Sequence, residues 1–266
     1  PGTSGANFID YIIADHIVIP KNQRQYYSEN IIYLPHCYQP NDNRREISSV
    51  QSNRNDFGLP QDAFVFCCFN KTYKIGFLEF SIWMKVLKKV KHSVLWLLKS
   101  NIWAMQNLKI EAKKNGINPD RLIFAERTNI AEHLKRHAHA DLFLDTFNYN
   151  AHTTASDALW SGLPVVTKQG NQFAARVASS LLSSLDLQEL ITKNINEYEK
   201  LILELALDKT KLLKIKAKLL KNKLAKPLFD TERYTKNFEQ GLQKIYEGYY
   251  NGEKPKDIDV IDYLKS

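Results

Sequence analysis

Hydrophobic residues in this chain gather into short unbroken runs that alternate with stretches of helical period. Between residues 62 and 185, five runs are strand-sized: 63–69 (AFVFCCF), 93–98 (SVLWLL), 121–126 (RLIFAE), 140–145 (ADLFLD) and 163–167 (LPVVT). The segments between them repeat apolar positions every three to four residues. Residues 77–90 carry Phe80, Trp83, Met84 and Leu87 on one face, and 102–115 are closed by Gly116. Further helices are predicted at 130–137 and 153–161. Strands that are apolar without alternation are covered on both faces, and single helices between them supply the right-handed crossovers of a parallel sheet. The pattern predicts a doubly wound, Rossmann-like α/β domain. Downstream of it the prediction is helical, at 171–185, 195–207, 209–226 and 231–250.

The first 55 residues depart from this. One strand is legible at 8–14 (FIDYIIA), and 41–55 is polar with no apolar period, so it reads as a loop. One or two strands cannot enclose a core, and residue 1 is proline. Residues 1–55 are therefore expected to be the end of an N-terminal half that begins upstream, and 56–266 to form the Rossmann-like domain with its C-terminal helices.

Composition narrows the class. The chain has 266 residues, 44% of them hydrophobic and 25% charged, which excludes disordered and collagen-like proteins. No apolar run approaches the ~20 residues of a membrane span, and no signal-peptide pattern opens the chain. Cys37, Cys67 and Cys68 are odd in number, with two adjacent inside an apolar run, and predict buried reduced thiols in a cytoplasmic protein. The net charge is +8, and residues 209–226 (KTKLLKIKAKLLKNKLAK) alone hold eight lysines and no acid. Within them Leu212, Ile215, Leu219 and Leu220 recur at helical spacing. This is either a docked helix with a solvated lysine face or a basic helix that grips anionic lipid or nucleic acid. The stretch has no aromatic residue, which argues against nucleic acid.

In a doubly wound sheet the ligand lies beyond the carboxyl ends of the strands. Three such ends are polar. Asn70-Lys71-Thr72-Tyr73-Lys74 follows the first strand, a loop leading to His133 and Arg136 follows the third, and 148–154 (NYNAHTT) follows the fourth. A helix starting at Thr153 or Thr154 would turn its free amides toward such a crevice, with either threonine as N-cap and His152 beside it. That is an anion site suited to a phosphate or diphosphate. Asp157, one turn on, is placed to accept hydrogen bonds from ribose hydroxyls, and Lys74 to hold phosphate oxygens. Plain helix capping and solvated loop lysines account for the same residues. No histidine cluster has metal-ligand spacing, and Asp257-Ile258-Asp259, an Asp-x-Asp match, lies in a polar tail away from any predicted strand end. Neither a Gly-x-Gly-x-x-Gly nor a Walker-type loop is present.

The segments PGTSGANFIDYIIAD, YYSENIIYLPHCYQPND, FGLPQDAFVFCCFNKTYKI, NPDRLIFAE and AEHLKRHAHADLFLDTFNYNAHTTASDALWSGLPVVT resemble the catalytic region of the O-linked N-acetylglucosamine (O-GlcNAc) transferases and their bacterial homologues. The resemblance runs from residue 1 to about residue 250. It implies a GT-B glycosyltransferase, an inverting enzyme that moves a sugar, GlcNAc by the likeness of its His-Thr-Thr run, from a UDP-sugar to Ser or Thr hydroxyls of proteins. By position it implies that Lys74 stabilises the leaving diphosphate and that His133 stacks near the uracil with Arg136 beside it. His152, Thr153 and Thr154 would cradle the diphosphate, and Asp157 would bind the ribose. No metal is implied. Two departures stand out. Lys71 replaces the family's glutamine in the donor site, and the family's upstream His-Met-Asn-Gly-Tyr segment and its tetratricopeptide repeats are absent from these residues. His36, in LPHCY, is the one retained N-terminal residue expected to face the cleft as a catalytic group. The alternative is a donor-binding unit that holds UDP-sugar and is inactive without those upstream parts.

Overall fold

In the computed structural model, which describes residues 2–265, the predicted parallel sheet is present; Pro1, the first residue of the opening turn sequence, lies outside the described residues. The large sheet contains β3 (Phe64–Cys68), β4 (Ser93–Leu98), β5 (Leu122–Ala125), β6 (Leu142–Leu144), β7 (Val165–Lys168) and β8 (Ile191–Thr192), all parallel, in the order β5-β4-β3-β6-β7-β8. Five of the six match the predicted runs. The sixth, β8, is two residues long and carries no apolar run that periodicity can detect. Crossover helices α1 (Phe77–Lys89), α2 (Ile102–Lys114), α3 (Ile130–Arg136), α4 (Thr153–Trp160) and α5 (Val177–Ser184) separate the strands, and α6 (Ile195–Leu207) follows β8. Trp83 and Trp96 are fully buried, and Trp83 donates its indole N–H to Tyr198 of α6 at 3.2 Å, so the core is closed by a polar contact between helices.

The chain winds outward from β3 to β4 and β5, then returns to lay β6 on the other side of β3. The reversal leaves a gap at the carboxyl ends of β3 and β6, since the connections leaving those strands run to opposite sides.

The N-terminal residues form a second sheet. The strand predicted at 8–14 is β1 (Tyr11–Asp15), and β2 (Asn30–Leu34) lies parallel to it. The third strand is β9 (Ile258–Asp259), from the segment expected to be a polar tail. The boundary at 55/56 thus separates strands that belong to one sheet. Asp257 accepts from Arg24 Nε and from the Ile31 amide at 2.9 Å, while Asp259 meets His16 at 2.7 Å, so the Asp-x-Asp carboxylates are taken up by strand closure. Helix α8 (Thr231–Tyr250) covers this sheet through a small cluster of Ile32, Leu34, Ile258 and Val260. The close approach needs Gly241, where a Cβ would stand 2.9 Å from Ile32 Cγ2. The two lobes meet at buried Asp15, whose carboxylate accepts from Ser180 of α5 at 2.6 Å and from the Tyr38 amide at 2.9 Å.

The lysine stretch is a docked helix, α7 (Lys209–Ala225). Leu212, Ile215 and Leu219 are buried, and Lys218 and Lys223 reach Glu189 and the Trp160 carbonyl at 2.8 and 2.7 Å. Leu220, grouped with the buried leucines by spacing, is instead 52% exposed, because it sits at the margin of the apolar stripe. No described helix is long and apolar enough to cross a membrane. All three cysteines are free and buried. Replacing Leu219 by Ala is expected to cost ~2–5 kcal/mol of stability, the usual range for a fully buried leucine, against under ~0.5 kcal/mol for exposed Leu224→Ala. Urea unfolding of the two variants measures the difference, and equal costs would contradict the docked placement.

Candidate functional site

The gap at the reversal of the sheet is a cavity of about 450 Å³. Its walls come from Phe69–Lys71, Tyr73 and Lys74 after β3, Leu98 of β4, Arg127 and Thr128 after β5, His133 and Arg136 of α3, and Tyr149 with His152–Thr154 between β6 and α4. Four of these side chains are cationic and none is acidic. Larger hollows, of about 770 and 580 Å³, lie against α6 and α7 away from this gap and mix lysines with carboxylates. Of these three hollows, it is the one without a carboxylate in its wall, so its potential favours an anion.

Of the residues singled out from sequence, Lys71, Lys74, His133, Arg136, His152, Thr153 and Thr154 line this cavity together. Helix α4 begins without a side-chain cap. His152, not a threonine, holds the N-cap position, and neither threonine caps the helix. Ala155 and Ser156 donate their amides to the His152 carbonyl, at 3.1 and 3.0 Å. Among the described residues the amides of Thr153 and Thr154 have no acceptor, so an anion there completes the helix end. The Thr154 hydroxyl is not free for a ligand, since it donates to Asn70 Oδ1 at 2.6 Å. Asn70 in turn donates to Thr146 Oγ1 at 2.9 Å, so the ends of β3 and β6 are cross-linked beneath the cavity floor.

Lys74 donates to the Asn150 carbonyl at 3.0 Å and lies 3.8 Å from the Tyr149 ring centre. Burial lowers its pKa below that of a free lysine, while Asp145 opposes the shift. The same ring of Tyr149 stacks on His152 at 4.6 Å, which fixes the imidazole plane. His152 Nε2 faces the Ala174 carbonyl at 3.3 Å, so its proton sits on Nε2 and Nδ1 is bare. Burial pushes His152 down to about 4 and leaves it neutral at pH 7. His133 is likewise held near 4, by burial and then by Arg136, whose guanidinium donates to His133 Nδ1. The positive potential therefore comes from the lysines, the arginines and the helix end, with both imidazoles acting as neutral dipoles. Arg136 also lies over the Phe69 ring at 4.5 Å, a planar layer in the cavity wall.

Two expected residues are not in the cavity wall. Asp157, foreseen at the ribose, is buried at 4% exposure and paired with Arg45 from the segment expected to be a featureless loop. Its second oxygen stands 3.8 Å from His133 Nε2, so it sits behind that ring. His36, foreseen as a catalytic group in the cleft, points instead to the C-terminal segment. Its Nε2 lies 3.1 Å from Asp262, which also binds Arg233, and the trio anchors the chain end to α8. Nothing in the sequence places Asp262 beside His36, because 226 residues separate them. Residues passed over in the sequence include Phe69, Tyr149 and Arg127. Tyr149 was recoverable in principle, since it lies in the polar run that supplied His152.

The sequence profile of glycosyl transferase family 41 matches residues 1–51 and 43–238. This chain belongs to glycosyl transferase family 41. It is 37% identical over 98% of its length to the probable UDP-N-acetylglucosamine–peptide N-acetylglucosaminyltransferase SEC of Arabidopsis thaliana, of which it covers 27%. It is 35% identical, over 77% of its length, to the UDP-N-acetylglucosamine–peptide N-acetylglucosaminyltransferase of Caenorhabditis elegans, of which it covers 18%. Among solved structures it superposes on a lysine-to-methionine mutant of the O-GlcNAc transferase of Thermobaculum terrenum. The TM-score is 0.79 at 26% identity, over 92% of this chain and 46% of that one. The family 41 chain described here thus spans about a quarter of the length of the curated relatives it matches.

Buried His137, behind the site, is pushed down to about 3 by desolvation, with neighbouring His133 adding to the shift. A histidine depressed below its unfolded value leaves stability intact above pH ~6.5 and removes it as pH falls toward the folded pKa. The stability gap between the chain and a His137→Asn variant should therefore narrow by roughly 2 kcal/mol from pH 7 to pH 4.5. Denaturant midpoints at the two pH values check this, and a constant gap would contradict a neutral buried imidazole.

Proposed function

We propose that this chain is the donor-binding part of a UDP-GlcNAc–protein O-GlcNAc transferase, and that the cavity at the reversal of the sheet holds the nucleotide sugar. The carrying observation is the acid-free wall in which the Lys74 ammonium and the unpaired amides of Thr153 and Thr154 face one space. The naming of the SEC and Caenorhabditis relatives as UDP-N-acetylglucosamine–peptide transferases supports the donor, and their peptide acceptors support a Ser or Thr hydroxyl as nucleophile.

In this reading the diphosphate lies across the start of α4, with Lys74 on its bridging or leaving oxygens. The base lies toward His133, Arg136 and Phe69. The acceptor oxygen forms its bond to the anomeric carbon from the face opposite the diphosphate. The carbon–oxygen bond to UDP breaks, and its electron pair stays with the leaving diphosphate. The acceptor proton passes to a base outside the residues assigned here. Charge building on UDP is met by Lys74, Lys71 and the α4 amides, which are fixed before the reaction starts and cost no reorganisation. Lys71, exposed at the cavity rim, adds a cation where the family has glutamine. These groups make a divalent cation unnecessary for leaving-group stabilisation, and His152 Nδ1, an acceptor, serves a hydroxyl or amide N–H of the sugar.

A second reading is a unit that binds UDP-sugar in this cavity without turning it over. Calorimetric binding of UDP with no turnover of UDP-GlcNAc would select it.

Losing one preorganised donor costs ~3 kcal/mol of transition-state stabilisation, so Lys74→Ala should slow transfer at least about 100-fold with the fold retained. His152→Ala should lose comparably. Radiolabelled sugar transfer to protein, in a parent chain carrying these residues, measures both, and full activity in both variants would sink the assignment. Chelation with EDTA should leave the rate unchanged. A rate restored only by added Mg²⁺ or Mn²⁺ would overturn the metal-free part of the proposal.

A further inference from the structure

The loop that presents Asn150 and His152 to the cavity is pinned at its base by one carboxylate that the reading above does not use. Asp145, the residue after β6, has no solvent exposure. Its Oδ1 accepts the amides of Thr146 at 2.8 Å and Ala151 at 2.6 Å, so one oxygen closes the loop on itself. Its Oδ2 accepts the Thr167 hydroxyl of β7 at 2.6 Å. All three partners are neutral. Lys74, whose charge favours the ionised form of Asp145, spends its hydrogen bond on the Asn150 carbonyl at 3.0 Å, and Asn150 is itself tied back by Nδ2 to the Thr146 carbonyl at 2.7 Å.

We infer that Asp145 is the positioning residue of the diphosphate loop, holding it so that the Asn150 carbonyl fixes the Lys74 ammonium against the start of α4, and that it gains a proton when the diphosphate binds. The inference rests on the proposed donor site. A buried carboxylate without a charged hydrogen-bond partner is costly, and a polyanion docking on Lys74 screens a cation that offsets it. Burial already lifts Asp145 to about 7, against the lowering effect of Thr167, the two amides and Lys74. The other groups that face it are Cys68 of β3, Glu79 of α1 and Tyr198 of α6. Cys68 and Tyr198 are held protonated by burial, and Tyr198 donates to the Asp145 carbonyl at 3.0 Å. The Glu79 carboxylate receives the Gly76 amide at 2.8 Å and the Phe147 amide at 3.4 Å.

Substitution separates the two parts. Asparagine keeps an oxygen for both amides and offers N–H to Thr167 Oγ, but cannot titrate. Alanine leaves two buried amides unpaired. Calorimetry of UDP with the chain should show Asp145→Ala at least about tenfold weaker than the parent, with circular dichroism unchanged, and Asp145→Asn restored to within about threefold. Measured at pH 7 in buffers of different ionisation enthalpy, the parent should take up more protons on binding UDP than Asp145→Asn does. Parent-like binding by Asp145→Ala, or an Asp145→Asn as weak as the alanine variant, would overturn the positioning role. Equal proton uptake in parent and Asp145→Asn would overturn the titration. If Asp145→Ala fails to fold, the comparison with Asp145→Asn and with Thr167→Val, expected to weaken UDP about threefold to tenfold, still decides. A parent chain that does not bind UDP at all would instead refute the donor-site proposal.

Discussion

Everything at the site follows from where the parallel sheet changes its direction of winding. Strands β3 and β6 are neighbours, yet the segments leaving them depart to opposite sides. A backbone gap at that point is unavoidable. The chain fills its floor with the Asn70–Thr146–Thr154 hydrogen-bond relay and leaves its upper part open. A polar relay is costly to bury unless every member is paired, and here each side chain has its partner. The open part inherits an uncapped helix end and the cations that flank it.

The selectivity of such a cavity is set by what is missing as much as by what is present. With no carboxylate in the wall, and with Asp157 withdrawn behind His133 and engaged by Arg45, anionic ligands meet no like charge. The imidazoles are neutral at pH 7, since burial outweighs the attraction of any acid near them. They order the ligand through direction of donor and acceptor, and the charge is left to the lysines and arginines of the wall.

Five of the six large-sheet strands were legible because each is a continuous apolar run bounded by polar residues, as for 63–69 and 93–98. The cluster at Lys74, His133, Arg136 and His152–Thr154 was legible because parallel strands put all such residues at one end. Strands β8 and β9 were not, since two residues have no period, and β2 escaped too, a short run (NIIYL) flanked by long irregular segments. Asp157 was misplaced because spacing along α4 gives the face of the helix and not the partner that arrives from 112 residues away. His36 was misplaced for the same reason, its partner Asp262 being distant in sequence. Asp145 was passed over as the last letter of a strand, for its role appears only when the loop has folded back onto it.

The small sheet is joined to the large one twice, by the run from β2 to β3 and by the turn before α8. The first of these passes directly over α4. Asn41 Oδ1 is bonded by Ser156, the Arg45 guanidinium grips Asp157, and Trp160 donates its indole N–H to the Arg45 carbonyl at 3.2 Å. Two successive turns of one short helix, at Ser156 with Asp157 and at Trp160, are thereby tethered to the strap between the lobes. The small lobe cannot swing as a free door: any rotation about the two joints levers the very helix whose first amides face the phosphate cavity.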